Sequence, residues 1–304
     1  YYDTDNPAES PAKVARKAIH EGAGLLLGPL TSATTRAVIP VAALEKVNVV
    51  SLSSDESLAT PNVFMIGFAP EQQIKRVVEY ASDQGVRYYY ALLPADVYGR
   101  AVAEVFKDTV QKKNGTVRKT IFYPPRQLDV IARLMEIESD LSNIPEGERI
   151  GLLIPEGGDR LLRIASALAL RGLENQRVQL LGSGQWDDVS LTREPALLGG
   201  WFASSPPEVR KAFEEKFEAK YRFKPLRITS LAYDAVALAV YLSSSGADYS
   251  SGAIANARGF SGINGAFRCD DNGECERGLA VLQLNPKGIE VINFSPQSFS
   301  TVAQ

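Results

Sequence analysis

Ala23-Gly24-Leu25-Leu26-Leu27-Gly28-Pro29-Leu30-Thr31-Ser32-Ala33-Thr34-Thr35 decides how this chain is read. Three leucines between glycines suit a short strand buried on both faces. The Gly28-Pro29 turn then leads into hydroxyl-bearing residues that open a helix near Ser32. On the N-terminal side, Ser10-Pro11 makes an N-cap and first-turn pair, and Val14, Ala15, Ala18 and Ile19 form one apolar helical stripe that Gly22 stops. Gly22, Gly24 and Gly28 are spaced somewhat like a dinucleotide fingerprint, but that motif needs its glycines after a strand and opening a helix. Here they end a helix and bracket a strand, so a C-cap and turn is the reading.

The alternation continues outward. Helices are expected from near Pro70, Val97, Asp129 and Asp159, interleaved with strands at Asn48 to Leu52, Arg87 to Leu93, Val117 to Tyr123, Arg149 to Ile154 and Val178 to Leu181. Such an order implies an α/β fold with parallel sheets and helices on both faces. After Trp201 the pattern changes to two successive helices, Pro207 to Arg222 and Ile228 to Ser244, and a shorter one near Ile254. Phe267 to Cys269, Leu279 to Leu284 and Ile289 to Phe294 then read as a hairpin meander. An α/β series ending in helices and hairpins fits two lobes between which the chain passes more than once.

With 304 residues, 45% of them hydrophobic, the chain can bury the cores of about two domains. Lys plus Arg (33) against Asp plus Glu (36) leaves a net charge of −3 without a basic tract, which excludes the electrostatic footprint of a nucleic-acid binder. Two cysteines and one histidine cannot make a four-ligand zinc site, so neither metal nor cofactor is expected. His20 has no serine or cysteine partner and reads as a surface residue; no Gly-x-Ser-x-Gly elbow occurs, and no nucleophile–base–orienter set can be assembled. The expectation is a protein that is not an enzyme. Tyr88-Tyr89-Tyr90 reads as sheet packing and not as a stacking platform for bases. No apolar run approaches about 18 residues, so no membrane span is expected. Tyr1-Tyr2-Asp3-Thr4-Asp5 lacks a basic and an apolar leader region, which places the protein in the cytosol or a targeting segment upstream.

Candidate binding residues gather where strands end. Thr31 and Ser32, at the start of a helix, offer hydroxyls and backbone N–H groups at a positive helix end that can hold an anion; the competing reading is a simple N-cap. The next strand ends in Ser51-Leu52-Ser53-Ser54-Asp55, and ligands of open parallel sheets lie outside such carboxyl edges. Tyr98, in Asp96-Val97-Tyr98-Gly99, puts a phenol at a helix start, where it can cover a small ligand or pack on the rim. Gly182-Ser183-Gly184-Gln185-Trp186-Asp187-Asp188 forms a flexible lip, with Trp186 either covering a ligand or packing between lobes. Cys269 and Cys275 flank an Asn272-Gly273 turn signal across which their sulfurs can meet. A disulfide there implies an oxidising compartment; two reduced thiols are the alternative.

These pieces together resemble the type 1 periplasmic binding proteins, in particular the leucine/isoleucine/valine-type branch. The resemblance is carried by Asp3-Thr4, Ala23 to Ser32 around Gly28-Pro29-Leu30, Phe68-Ala69-Pro70, Val97-Tyr98-Gly99, Ala232-Tyr233-Asp234-Ala235 and Gly265-Ala266-Phe267-Arg268. It implies two Rossmann-like lobes, 1–68 plus 207–264 and 69–206 plus 265–304, joined by three crossovers near Phe68-Ala69, Ser205-Pro206 and Asn264-Gly265. It also implies one more strand and helix ahead of Tyr1. By the resemblance, Ser32 and the Ser53 to Asp55 loop hold the carboxylate and amine of an amino acid, and Tyr98 closes from the other lobe. Two positions depart from that pattern: Asp55 stands where a threonine is usual, and Gly184 where an acid pairs with the α-ammonium.

The implied function is a periplasmic receptor that captures a small polar or amino-acid-like solute by hinge closure and delivers it to an ABC permease. In that reading Ser32 takes an anionic group, Ser53 and Asp55 a donor or cation, and Tyr98 and Trp186 cover the ligand. A sister branch with the same Gly-Pro-Leu motif comprises the penicillin-binding protein activators, lipid-anchored envelope proteins that touch a peptidoglycan synthase. Such a protein would carry its lipidated cysteine in a segment upstream of Tyr1.

Overall fold

In chain order the elements are α1 (Pro11–His20), β1 (Leu25–Leu27), α2 (Ser32–Glu45), β2 (Asn48–Ser51), β3 (Val63–Met65), α3 (Pro70–Asp83), β4 (Val86–Pro94), α4 (Val97–Lys112), β5 (Thr116–Tyr123), α5 (Val130–Leu141), β6 (Arg149–Leu153), α6 (Gly158–Arg171), β7 (Val178–Gly182), β8 (Trp201–Ser204), α7 (Pro207–Tyr221), α8 (Thr229–Ser244), α9 (Ser251–Ile254), β9 (Phe260–Gly262), β10 (Gly265–Cys269), β11 (Cys275–Arg277), β12 (Ala280–Asn285) and β13 (Gly288–Asn293). The computed structural model describes residues 1–4, 8–124, 130–173, 177–296 and 299; the helix start expected at Asp129 lies outside them. Two units form: unit 1 from Tyr1–Ala69, Ser205–Gly278 and the described residues from Ser295, and unit 2 from Pro70–Ser204 and Leu279–Phe294.

Unit 1 holds a parallel three-stranded sheet in the order β1-β2-β3, with Leu26 opposite Val49 and Val50 opposite Phe64. Ser10 caps α1 by accepting from the Lys13 N–H, and Val14, Ala15 and Ala18 bury its inner face. Ala15 packs with Val38, Val41 and Ala42 of α2 against Val49, Val63 and Met65. On the other side, Leu238 and Leu242 of α8 meet Val50, Phe64 and Phe267.

A second sheet of unit 1, β9-β10-β11, is antiparallel, and Cys269 and Cys275 face each other across it in a disulfide. The free-thiol alternative therefore does not hold. The loop that this bond closes docks on β3: the Met65 N–H donates to the Gly273 carbonyl at 3.0 Å. Gly273 has φ +83°, and a Cβ there would lie 2.2 Å from the carbonyl oxygens of Thr60 and Val63, so the contact requires glycine.

This pairing corrects the expected lobe boundary. Residues 265–278 belong to unit 1, the third passage falls at Gly278–Leu279 and not at Asn264–Gly265, and the chain rejoins unit 1 after Phe294. The physical cause is that β10 bonds to β9 and β11, while Arg277 is anchored on Asp234 and the Ile66 carbonyl. The expected meander is accordingly split between two sheets.

Unit 2 is a seven-stranded sheet in the order β13-β12-β8-β7-β6-β4-β5, parallel from β8 to β5 and closed by the antiparallel β12–β13 hairpin. Side chains of β4 alternate across it. Tyr89 packs with α3 and α4 and bonds to Ser82, whereas Tyr90 packs with α5 and α6 and donates to Asp140. Burial on both faces explains the near-continuous apolar strands. No helix among the described residues is long and apolar enough to cross a membrane.

Candidate functional site

The carboxyl edge of unit 1 is built by two strand ends and one helix start. Thr31 caps α2 by accepting from the Thr34 N–H at 3.2 Å, so Ser32 is its first residue. An α-helix has no internal acceptor for its first amides, which leaves this end positive. The Ser32 and Ser53 hydroxyls lie 3.1 Å apart, which joins the helix start to the loop after β2. Behind them Thr35 and Ser51, both buried, share a hydrogen bond of 2.9 Å, and Ser51 Oγ also donates to the Pro29 carbonyl. These bonds fix the turn after β1 against the end of β2.

Ser53 is itself buried, and its Oγ accepts from the Asp55 N–H at 3.2 Å. Gly67 lets β3 approach this loop, since a Cβ there would lie 2.1 Å from the Ser53 carbonyl oxygen. The Asp55 carboxylate accepts from Ser57 Oγ at 2.5 Å and has the Arg36 guanidinium 3.7 Å away. Ser54 is exposed beside it. Thr31, Ser32, Ser53, Ser54 and Asp55 thus share one edge that offers hydroxyls, a positive helix end and a single carboxylate. Such an edge suits a carboxylate with a hydrogen-bond donor or cation next to it.

Residues that follow β4, β6 and β7 form the corresponding edge of unit 2. Asp96 caps α4 through the Gly99 N–H at 2.9 Å, which seats Tyr98 in the first turn. The Tyr98 hydroxyl donates to the Pro155 carbonyl at 2.9 Å and accepts from Gln185 Nε2 at 3.2 Å. Burial is the main reason why this hydroxyl's pKa lies above the usual tyrosine value; Ser183 and Gln185 oppose the shift, and the negative charges of Glu156 and Glu71 add to it.

Trp186 differs from its expected role. It is fully buried, its indole N–H donates to the Ile154 carbonyl at 3.1 Å, and its ring fills space left by Gly182 and Gly200. It belongs to the core of unit 2 because those two glycines have no side chains to occupy that volume. Asp187 accepts from Ser204 Oγ at 2.8 Å and Asp188 caps the turn at Ser190, so both carboxylates have structural partners. Gly184 lies on the edge, and its N–H donates to Gln73 Oε1 at 2.6 Å. Gln73, an unremarkable polar residue on α3 in the sequence, is the edge residue that sequence reasoning missed.

A buried carboxylate, Glu156, completes this edge; it is bonded by Tyr123 and has Arg160 at 3.5 Å. Burial and the Glu156 contact push the Tyr123 hydroxyl well above the ordinary tyrosine range. His20 lies on the surface of α1 near Glu45. Among the described residues no group of three or more His, Cys, Asp or Glu side chains could hold a metal ion.

The family model for periplasmic binding proteins matches residues 1–288, and the chain belongs to that family. Solved structures share its fold. A putative branched-chain amino acid ABC transporter protein of Rhodospirillum rubrum is 19% identical with a TM-score of 0.83, covering 96% of this chain and 86% of that one. A leucine binding protein of Thermotoga maritima is 21% identical with a TM-score of 0.66, over 95% and 85%. A solute binding protein of R. palustris in complex with benzoate is 20% identical with a TM-score of 0.68, over 97% and 84%. An uncharacterized protein of Rickettsia prowazekii is 27% identical over 121 residues, 39% of this chain. The chain spans about a third (32%) of the length of that curated relative.

Proposed function

We propose that the protein is the periplasmic receptor of an ABC transporter and captures a small carboxylate-bearing, amino-acid-like solute. The observation that carries this reading is the Ser32–Ser53 hydroxyl pair, 3.1 Å apart at the start of α2, with Asp55 on the same loop. Ser32 and the first amides of α2 take the carboxylate, Ser53 and Asp55 take a donor or ammonium, and the Tyr98 ring covers the solute. Closure of the two units on the solute favours the bound state by mass action, since a ligand that contacts both shifts the population toward the closed form. The benzoate complex of one structural relative and the leucine binding protein among the others support a carboxylate as the common group. Delivery to a permease and a periplasmic location follow from the same reading, as does an oxidising compartment for the Cys269–Cys275 bond.

Thermal-shift and calorimetric screening against amino acids and carboxylic acids tests it. A hit should weaken about tenfold or more in Ser32→Ala, the loss of a hydrogen bond to a charged group. No stabilisation by any solute would refute it.

The alternative is the activator reading, a lipid-anchored envelope protein that binds a peptidoglycan synthase: the Tyr98 hydroxyl already bonds to the Pro155 carbonyl and Gln185 within unit 2. A pull-down with peptidoglycan synthases separates the two readings.

A further inference from the structure

The chain passes between the two units at Ala69–Pro70, Ser204–Ser205, Gly278–Leu279 and Phe294–Ser295, and one turn of unit 1, around Asn264 and Gly265, gathers these passages. Asn264 is fully buried and bonded at both ends of its carboxamide: Nδ2 donates to Asp234 at 2.9 Å, and Oδ1 accepts from Arg227 Nη1 at 2.6 Å. Its backbone carbonyl accepts from Arg277 Nη1 at 3.3 Å, and Arg277 Nη2 donates to the Ile66 carbonyl at 3.0 Å. The Arg227 and Arg277 guanidiniums lie 4.2 and 5.8 Å from the centre of the Phe68 ring, so two cations hold the aromatic residue that precedes the first passage. Gly265 has φ +90°, and a Cβ there would lie 2.9 Å from the Gly278 carbonyl oxygen and 3.2 Å from Pro206 Cδ, which sets the second and third passages against the turn. The fourth follows, since a Cβ on Gly278 would lie 3.0 Å from the Pro296 carbonyl oxygen.

We propose that this cluster is a clasp: Asn264, Arg227 and Arg277 fasten the unit 1 ends of the passages to one another, so that bending of the chain between the units is confined to residues on the unit 2 side. A hinge needs only a few residues to absorb a change in φ and ψ, and the clasp excludes Ile66 to Ala69, Asn264 to Gly265 and Arg277 to Gly278 from that task. The first passage also starts at the serine edge, because Gly67 seats on the Ser53 carbonyl and the Ile66 N–H donates to the Ser51 carbonyl at 3.0 Å. A clasped passage therefore leaves the Ser32–Ser53 pair undisturbed when the chain bends. The inference concerns the passages alone and holds whatever the protein binds.

The test is hydrogen exchange of the whole chain, read by mass spectrometry, in native protein, Phe68→Leu and Arg227→Met. The first variant keeps an apolar group and removes the ring; the second keeps the stem and removes the cation. The expected result in both is exchange about tenfold faster in segments 66–69, 264–266 and 277–279, with β1 and β2 within about twofold of native. A response at 277–279 to a change at Phe68 is what a shared clasp requires, since the two segments are far apart in the chain. Acceleration limited to 66–69 overturns the inference, because the passages would then be fastened separately. Acceleration that reaches β1 and β2 equally, or loss of the fold in both variants, overturns it as well, because the cluster would then be part of a core that opens as one. Native rates in both variants overturn it outright. Where only one variant folds, that variant decides by the same criteria.

Discussion

Truncating Asp234 to alanine should destabilise unit 1 strongly, because it would strand a buried guanidinium. Asp234 and Arg277 approach to 3.4 Å with side chains 0% and 5% exposed. The same carboxylate accepts from the Ile263 N–H at 2.7 Å and Asn264 Nδ2 at 2.9 Å. Breaking a buried pair from one side costs about 3–5 kcal/mol, and each buried donor left unsatisfied costs about 1–3 kcal/mol, without simple additivity. Arg277 keeps its bond to the Ile66 carbonyl at 3.0 Å and its place 5.1 Å from the Phe267 ring, which holds the loss near the middle of that range. About 4 kcal/mol corresponds to a fall in Tm of about 8–16 °C for a unit of this size. Differential scanning calorimetry of native, Asp234→Ala and Asp234→Ala/Arg277→Met proteins measures it. The double variant should recover most of the loss, since a buried pair replaced by apolar groups is near neutral. A fall under about 3 °C, or a double variant no more stable than the single one, would refute the reasoning.

Other outcomes follow from the same geometry. Replacing Cys269 and Cys275 together by alanine removes a closure over a sequence separation of 6, worth about 2 kcal/mol, and a reductant should reproduce the effect in native protein and not in the variant. Burial raises the Tyr89 hydroxyl to about 12 from 10.0; the folded state holds that proton more tightly, so stability is full below about pH 10 and declines as pH rises toward 12. Denaturant melts across that window should show a shallower decline for Tyr89→Phe. Gly67→Ala places a methyl 2.1 Å from the Ser53 carbonyl oxygen, so it should weaken solute binding through a displaced loop; unaltered affinity would contradict the placement of that loop.

Much of this was legible in local sequence because it depends on neighbouring residues. Thr31 and Ser32 at the start of α2, and the strands expected at Asn48 to Leu52 and Arg87 to Leu93 and found at Asn48–Ser51 and Val86–Pro94, follow from caps and apolar runs. Short strands were not: Val63–Met65 and Trp201–Ser204 are wholly buried, and three or four apolar residues carry no period by which strand can be told from core. Placing residues 265–278 required knowing that Gly273 seats on Thr60 and Val63 and that Arg277 reaches the Ile66 carbonyl, contacts between segments far apart in the chain. Trp186 shows the same limit, since its burial depends on Gly182 and Gly200 being empty of side chains. Gln73 gave no signal, as its role arises only where Gly184 arrives beside it.

A crystal structure of the protein grown with a solute selected by the screen tests the central claim most directly. The solute's carboxylate should lie within about 2.7–3.2 Å of Ser32 Oγ or the first amides of α2, with its other polar group near Ser53 and Asp55. A solute held elsewhere, with the serine edge unchanged from its 3.1 Å hydroxyl pair and solvated, would contradict it.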